Sequence, residues 1–253
     1  MRPRNYKNLQ FIDIRKASTM IDQSSKLSTS GGAKSDLKKY YDEGYHHVIH
    51  AGMMEDESYY RARSEAFSRL YFTAEERQLR ILDYGCGLGQ TVAALPNACG
   101  YDASREAREV ARAHGVKVFD ALSDIPASGF DIVICRHALE HVPDPLDVLT
   151  ALGSYLQPEG KLILILPKEK YYKTPFEPDA HMHIFAWNFR CINNLLSLAG
   201  LRATRNDTLY NLGYRALLPL RKVLGFAGYE WATAVVGRLK NNGEFVIHAK
   251  RQG

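Results

Sequence analysis

No stretch of this 253-residue chain approaches the roughly 20 consecutive apolar residues that a membrane-spanning helix requires. The longest unbroken apolar run, Leu162 to Leu166, is the length of a strand. The first residues also lack the continuous apolar core of a secretory signal, so the expectation is a cytoplasmic protein with no transmembrane segment. Cysteine is scarce. Cys86, Cys99, Cys135 and Cys191 form no CxxC pair, which argues against a disulfide or zinc framework and for small buried hydrophobes in a reduced compartment. A surplus of positive charge on the body is missing too. The net charge is +5, but Met1 to Tyr40 carries nine Lys/Arg against three Asp, which leaves 24 basic and 25 acidic residues for the remainder. A nucleic-acid partner wants a basic face on the folded body, so none is expected. Residues 1–36, with their Ser/Thr/Gly-rich run, read as a solvated basic arm, and residues 37–253 as one domain. There is no internal repeat.

Around Ile81-Leu82-Asp83-Tyr84-Gly85-Cys86-Gly87-Leu88-Gly89-Gln90 the chain shows its most specific pattern. Ile81 and Leu82 read as the end of a buried strand. The glycines allow a sharp turn and let a ligand lie against bare backbone. Thr91 to Leu95 can open a helix, trimmed by Pro96. Strand, glycine turn and helix form the nucleotide cradle of a doubly wound α/β sheet. The P-loop's Gly-Lys-Ser/Thr is absent, and Gln90 stands where the dinucleotide fingerprint has its third glycine. Two further carboxylates fall at predicted strand ends, Asp102 after Ala98-Cys99-Gly100-Tyr101 and Asp120 after Lys117-Val118-Phe119. Ligands bind across such strand ends.

The alternation continues in order. A cap helix is expected over 57–72, with Ser58 as a candidate N-cap, and Tyr40 to His46 ahead of it is aromatic and polar. Helices are expected over 104–114, 144–156 and 187–199, and strands over 130–135, 161–166, 201–209 and 244–249. Gln157 to Gly160 reads as a turn. Residues 210–240 form a helical insertion. Its Leu217 to Leu224 mixes apolar and basic residues, but Pro219 breaks the regular helix that a membrane-surface anchor prefers, so packing is favoured over peripheral membrane contact.

In the pattern D-x-G-x-G-x-G and in Asp102 and Asp120, the chain resembles the class I S-adenosylmethionine-dependent methyltransferases. The run Leu139-Glu140-His141-Val142-Pro143-Asp144-Pro145 is similar to a loop of the small-molecule subgroup that includes the ubiquinone-type O-methyltransferases. The resemblance implies a doubly wound seven-stranded sheet, Rossmann-like, of order 3-2-1-4-5-7-6, with strand seven antiparallel and helices on both faces. It implies S-adenosyl-L-methionine as cofactor. Gly85, Cys86, Gly87 and Gly89 would form the turn. Asp83 would hold the amino end of the methionine, directly or through water. Asp102 and Ala103 would sit at the ribose, and Asp120 and Ala121 at the adenine. Arg136, His137 and Ala138 would line the methyl side. Tyr40 to His46 would lie across the mouth.

Transfer to a hydroxyl benefits from a base, and histidine suits that task near neutral pH. His181 and His183, in the loop after strand five with Tyr171, Tyr172 and Phe176, are the first candidates, and His137 the third. His141 reads instead as a tie between its loop and the next helix. His137, Glu140 and His141 at i, i+3 and i+4 have the donors of a divalent site. His137 departs from the glutamate found in related enzymes, and no metal is assigned. The acceptor expected is a small molecule, a sugar or glycan precursor or a phenol. No Asn/Asp-Pro-Pro-Tyr-like motif follows strand four to suggest a protein or nucleic-acid acceptor. A monomer or homodimer is expected. A non-catalytic S-adenosylmethionine-binding protein and a nicotinamide-dependent oxidoreductase are the alternatives.

Overall fold

The computed structural model describes residues 45–169 and 181–252. The basic arm, Tyr40 to Gly44, and Tyr171, Tyr172 and Phe176 lie outside the described residues. Strands β1 (Ile81–Tyr84), β2 (Ala98–Tyr101), β3 (Lys117–Val118), β4 (Phe130–Arg136), β5 (Leu156–Pro167), β6 (Leu201–Tyr210) and β7 (Gly243–Arg251) form one sheet in the order 3-2-1-4-5-7-6. The first five pair in parallel, and β7 runs antiparallel to both β5 and β6. This is the doubly wound seven-stranded sheet that the resemblance implied.

The central strands are apolar on both faces because both faces are covered. Ile132, Ile134, Ile163 and Ile165 point to one side, and Val133, Cys135, Leu162, Leu164 and Leu166 to the other, the period-two alternation of a strand. Against the first face packs the cap, made of α1 (Tyr45–Ile49), α2 (Ala51–Glu55) and α3 (Glu57–Tyr71), through Phe67 and Tyr71. Helix α4 (Arg105–Ala113) adds Ala111 to that face, and starts where the Ser104 side chain accepts the Ala107 N–H. Helices α5 (Pro145–Tyr155) and α6 (Phe189–Leu198) cover the second face through Leu149, Leu152, Ile192 and Leu196. Between β6 and β7 the chain forms α7 (Tyr214–Leu217) and α8 (Leu220–Leu239), separated by Pro219 and interrupted again at Gly225. Helix α8 buries Tyr229, Ala232, Thr233 and Gly237 and leaves Val223, Leu224, Trp231 and Leu239 exposed. No described helix is long and apolar enough to cross a membrane.

Several local expectations are corrected. Thr91 to Leu95 makes a single turn, with the Ala93 N–H on the Gly89 carbonyl, because Pro96 leaves no room for a helix. The cap of α3 is Asp56, which accepts the Tyr59 N–H, and Ser58 donates to that same carboxylate. Strand β3 ends at Val118, although the Phe119 N–H still reaches the Gly100 carbonyl. Gln157 to Gly160 lies within β5, where its register with β4 slips between Phe130 and Ile132. Cys191 is exposed.

A buried polar clamp joins the cap to the sheet. Glu244, at the start of β7, accepts from Tyr71 (2.7 Å), from Arg136 (3.0 Å) and from Asn211 (3.1 Å). The Arg136 Nε also donates to the Tyr71 oxygen at 3.3 Å. Burial works to raise the Glu244 carboxyl, but Arg136, His137 and Tyr71 outweigh it and hold it well below the usual carboxylate range. Asp83 has less help. It is fully buried at the β1 tip, and burial outweighs Arg136 and Thr91, which favour its charge, and pushes it up to about 7.

Two outcomes are expected. Tyr71→Phe removes a donor from a buried carboxylate and should cost about 1–3 kcal/mol in urea unfolding; an unchanged midpoint would show that the clamp carries no stability. A raised carboxyl stabilises the fold while protonated and withdraws that contribution as pH rises from the ordinary carboxyl range through about 7. Asp83→Asn should therefore gain thermal stability relative to the native chain between about pH 5 and about pH 8. A gap in melting temperature that does not widen with pH contradicts the burial of a charge there.

Candidate active site

The carboxyl ends of β1, β2, β4 and β5 open into a cavity of about 1360 Å³, roofed by the cap and by the β6–β7 insertion. Single ligand sites run to roughly 300–1,000 Å³, so this one has room for two compounds side by side.

Backbone conformation builds its floor. Gly85 and Gly87 both have positive φ, 77° and 52°, which L side chains rarely adopt. A Cβ on Gly85 would stand 2.5 Å from the Ala138 Cβ, whereas one on Gly87 would meet nothing nearer than His46 Cε1 at 3.6 Å and would project into the cavity. The Gly85 and Cys86 N–H groups both donate to the Tyr101 carbonyl, at 2.8 and 3.0 Å, which locks the turn to the tip of β2. The Gly87 N–H donates to Asp102 Oδ2 at 2.8 Å, and the Ser104 N–H to Asp102 Oδ1 at 2.9 Å. Each Asp102 oxygen keeps a further lone pair, as acceptance of two neighbouring hydroxyls requires. Bare backbone at Gly87 with a fixed carboxylate beside it fits the ribose and methionine parts of S-adenosylmethionine.

Of the residues expected at the cofactor, Gly85, Cys86, Gly87, Asp102, Ala103, Arg136 and His137 line the cavity. Asp83, Gly89, Asp120 and Ala121 do not. Asp83 is sealed beneath the turn. Gly89 packs on helix α4 and the chain just after it, where a Cβ would lie 3.1 Å from Ala111 Cβ and 2.8 Å from Val116 Cγ2. Asp120 is exposed and pairs with Arg112 at 2.7 Å. At the expected adenine end the wall is formed instead by Leu122, Tyr101, Val142 and Pro143.

The same cavity is lined by histidines from the loop after β4 and from the segment that follows β5. His183 Nδ1 meets Glu169 Oε1 at 2.5 Å, and the His183 ring lies 5.5 Å from that of His181 and 4.8 Å from that of His141. Glu140 is fully buried, and burial pushes it up to about 8; its backbone carbonyl accepts the Ile184 and Phe185 N–H groups and so pins the segment that carries His183. The acidic and imidazole groups that cluster are Glu140, His141 and His183, with ligand atoms within 4.8 Å. His137 leaves that set, because it turns to Glu244: its Nε2 is 2.9 Å from Glu244 Oε1, where the imidazole shares that carboxylate with Arg136. Its backbone has a positive φ of 49°, and burial together with Arg136 lowers its pKa.

Sequence reasoning missed most of the roof. Tyr45 and His46 were expected at the mouth, but His50, Met53, Arg63, Tyr214, Arg215 and Glu244 also line it. His46 Nδ1 and His50 Nδ1 are 3.0 Å apart, and burial, reinforced by His46 and Arg136, lowers His50 to about 3. A polar residue on the buried stripe of α3, Arg63, was the available signal.

Comparison with known proteins agrees with this geometry. A family model described as a methyltransferase domain matches residues 56–206. Ubiquinone biosynthesis O-methyltransferases of Xanthomonas axonopodis and Idiomarina loihiensis are 39% and 32% identical over 99 and 97 residues, about a third of this chain (34% and 33%) and 41% and 40% of theirs. The chain thus spans well under half the length of these curated relatives in the match. The 1,6-didemethyltoxoflavin-N1-methyltransferase of Burkholderia thailandensis, solved with S-adenosylhomocysteine, superposes with a TM-score of 0.55 at 14% identity over 90% of this chain and 93% of that one. The magnesium protoporphyrin IX methyltransferase of Synechocystis does so with 0.55 at 14% identity over 89% and 100%. At those identities the two structures speak for the fold alone, while the family model covers more than half of the sequence. The chain belongs to the methyltransferase domain family, and its sheet order and glycine cradle are those of the class I S-adenosylmethionine-dependent enzymes.

Proposed function

We propose that this chain transfers a methyl group from S-adenosylmethionine to a hydroxyl of a small molecule, a phenol or a sugar or glycan precursor, with His183 as the base. The observation that carries the reading is the His183–Glu169 pair, whose two residues line the same cavity as the glycine turn. The relatives named for ubiquinone biosynthesis are O-methyltransferases, which supports oxygen as the acceptor atom.

The chain's own part is to hold and to deprotonate. Gly87 and Asp102 hold the donor, and Tyr101 and Leu122 flank its base. Bound there, the donor supplies a methyl group already activated by a sulfonium. Glu169 accepts from His183 Nδ1, which fixes the tautomer and leaves Nε2 to take the hydroxyl proton as the oxygen advances. The Glu169 carboxylate also steadies the imidazolium that results. His137 has another duty on the same wall. Its ring is held neutral by burial and by Arg136, which suits shaping the methyl side and not carrying a proton. Positioning of acceptor and donor in line supplies the larger share of the acceleration. The clamp on Glu244 serves that end by fixing the cap and the insertion against the β4 tip.

The experiment is a screen for released S-adenosylhomocysteine over phenols, sugars and nucleotide sugars, followed by substitution at the pair. His183→Ala should lower turnover about 10²–10⁴-fold with donor affinity kept, and Glu169→Gln should lower it by a smaller factor. His181→Ala should leave most of the rate. Equal turnover by His183→Ala and the native chain sinks the assignment of the base, and tight donor binding with no release from any acceptor favours a binding protein without catalysis.

A further inference from the structure

The β6–β7 insertion carries charge and apolar surface that the cavity does not use. Residues 210–240 hold five Lys/Arg and a single acid, Glu230. The remaining residues after Tyr40 then hold 19 basic and 24 acidic side chains, so the insertion is a basic island on an acidic body. One side of α8 is anchored. Tyr229 is fully buried and donates to the Tyr214 carbonyl at 2.8 Å, and Phe226 packs beside them with the Arg69 guanidinium 4.3 Å from its ring centroid. The other side is bare. Val223 and Trp231 are 79% and 67% exposed, and Leu224 and Ala227 between them are exposed as well. Gly225 leaves the helical conformation, and a Cβ on Gly228 would stand 2.5 Å from the Leu224 Cβ, so the leucine lies back against α8 at that turn. Ala227 and Trp231 are one turn apart on the same face. The four side chains form one patch, and the exposed Lys222 flanks it. Pro219 stands before α8 and does not interrupt it.

Single exposed apolar residues are ordinary, but a contiguous patch marks a contact surface. Charge decides among its occupants. In a two-fold pairing of copies the same patch faces itself, and the basic residues of one insertion would meet their twins. The leading arm, residues 1–36, is basic too and finds no counter-charge there. An anionic lipid bilayer complements the insertion and repels the acidic remainder of the body. Its interface takes up tryptophan and aliphatic side chains while lysine reaches the headgroups. We propose that the tip of the insertion, Lys222 to Trp231, docks this protein on an anionic lipid surface as a peripheral contact. The contact goes beyond methyl transfer and does not depend on it. Tyr214, which packs with Tyr229 of α8, also lines the cavity, so the docked element borders the roof of the site.

The test is co-sedimentation of the full chain with vesicles of phosphatidylcholine and with vesicles of phosphatidylcholine mixed with phosphatidylglycerol, in the absence of donor and acceptor. Partition to the anionic vesicles should be about tenfold stronger or more at low salt, and should fall as salt is added. In Trp187→Phe, Trp231 is the sole tryptophan, and its emission should move to shorter wavelength on those vesicles. Val223→Glu combined with Trp231→Glu, at exposed positions outside the cavity, should lower the partition about tenfold or more and keep S-adenosylhomocysteine binding. Leu198→Glu, at an exposed leucine on α6 across the sheet, should bind vesicles as the native chain does. Native protein left in the supernatant, or equal partition to both kinds of vesicle, overturns the proposal. So does undiminished partition by the double variant, which hands the binding to the basic arm. A dimer in sedimentation velocity that the same substitutions split, with no vesicle binding, overturns it too and gives the patch to a second copy. A native chain that binds vesicles but no S-adenosylhomocysteine strikes the donor reading alone.

Discussion

The hydrogen bond from the Gly87 N–H to Asp102 sets the geometry on which the rest of the site depends. It can form only because the turn after β1 takes a left-handed conformation that brings its backbone to the tip of β2. A carboxylate that already accepts from two amides is fixed in direction before any ligand arrives, and preorganisation of this kind spares the cost of ordering on binding. The parallel sheet supplies the remaining condition. Its strands end at one edge, so loops from distant parts of the sequence meet over a single opening.

What closes that opening is polar as well as apolar. Glu244 draws together the last turn of α3, the tip of β4 and the end of β6, through Tyr71, Arg136 and Asn211. A buried ion pair seldom adds much net stability over an apolar substitute, because both charges must leave water. Its value here is directional. It fixes Arg136 and His137 at the tip of β4. Asp83 beneath the turn pays a similar desolvation cost that its neighbours do not offset.

The sheet was legible in the sequence because each strand declares itself by local pattern. Ile132 to Cys135 and Leu162 to Leu166 are apolar throughout, and glycine, proline and capping residues punctuate the intervals. Asp102 was legible for the same reason, since a strand end followed by the Ser104 cap is a local signal. Asp120 looked equivalent, but β3 stops at Val118, and the side chain turns out to Arg112. The helix expected over Thr91 to Leu95 failed because Pro96 lies too close to the glycine turn. The His183–Glu169 pair and the Glu244 clamp join residues 14, 108 and 173 positions apart, and no periodicity encodes such meetings.

The most direct measurement is the affinity of S-adenosylhomocysteine for the native chain and for Asp102→Ala, by calorimetry. Loss of a charge-assisted acceptor at the ribose should weaken binding about tenfold or more, with the fold intact by circular dichroism. Equal affinity in the two proteins, or no heat in either, would contradict the claim that the strand-tip carboxylate and the glycine turn hold the methyl donor.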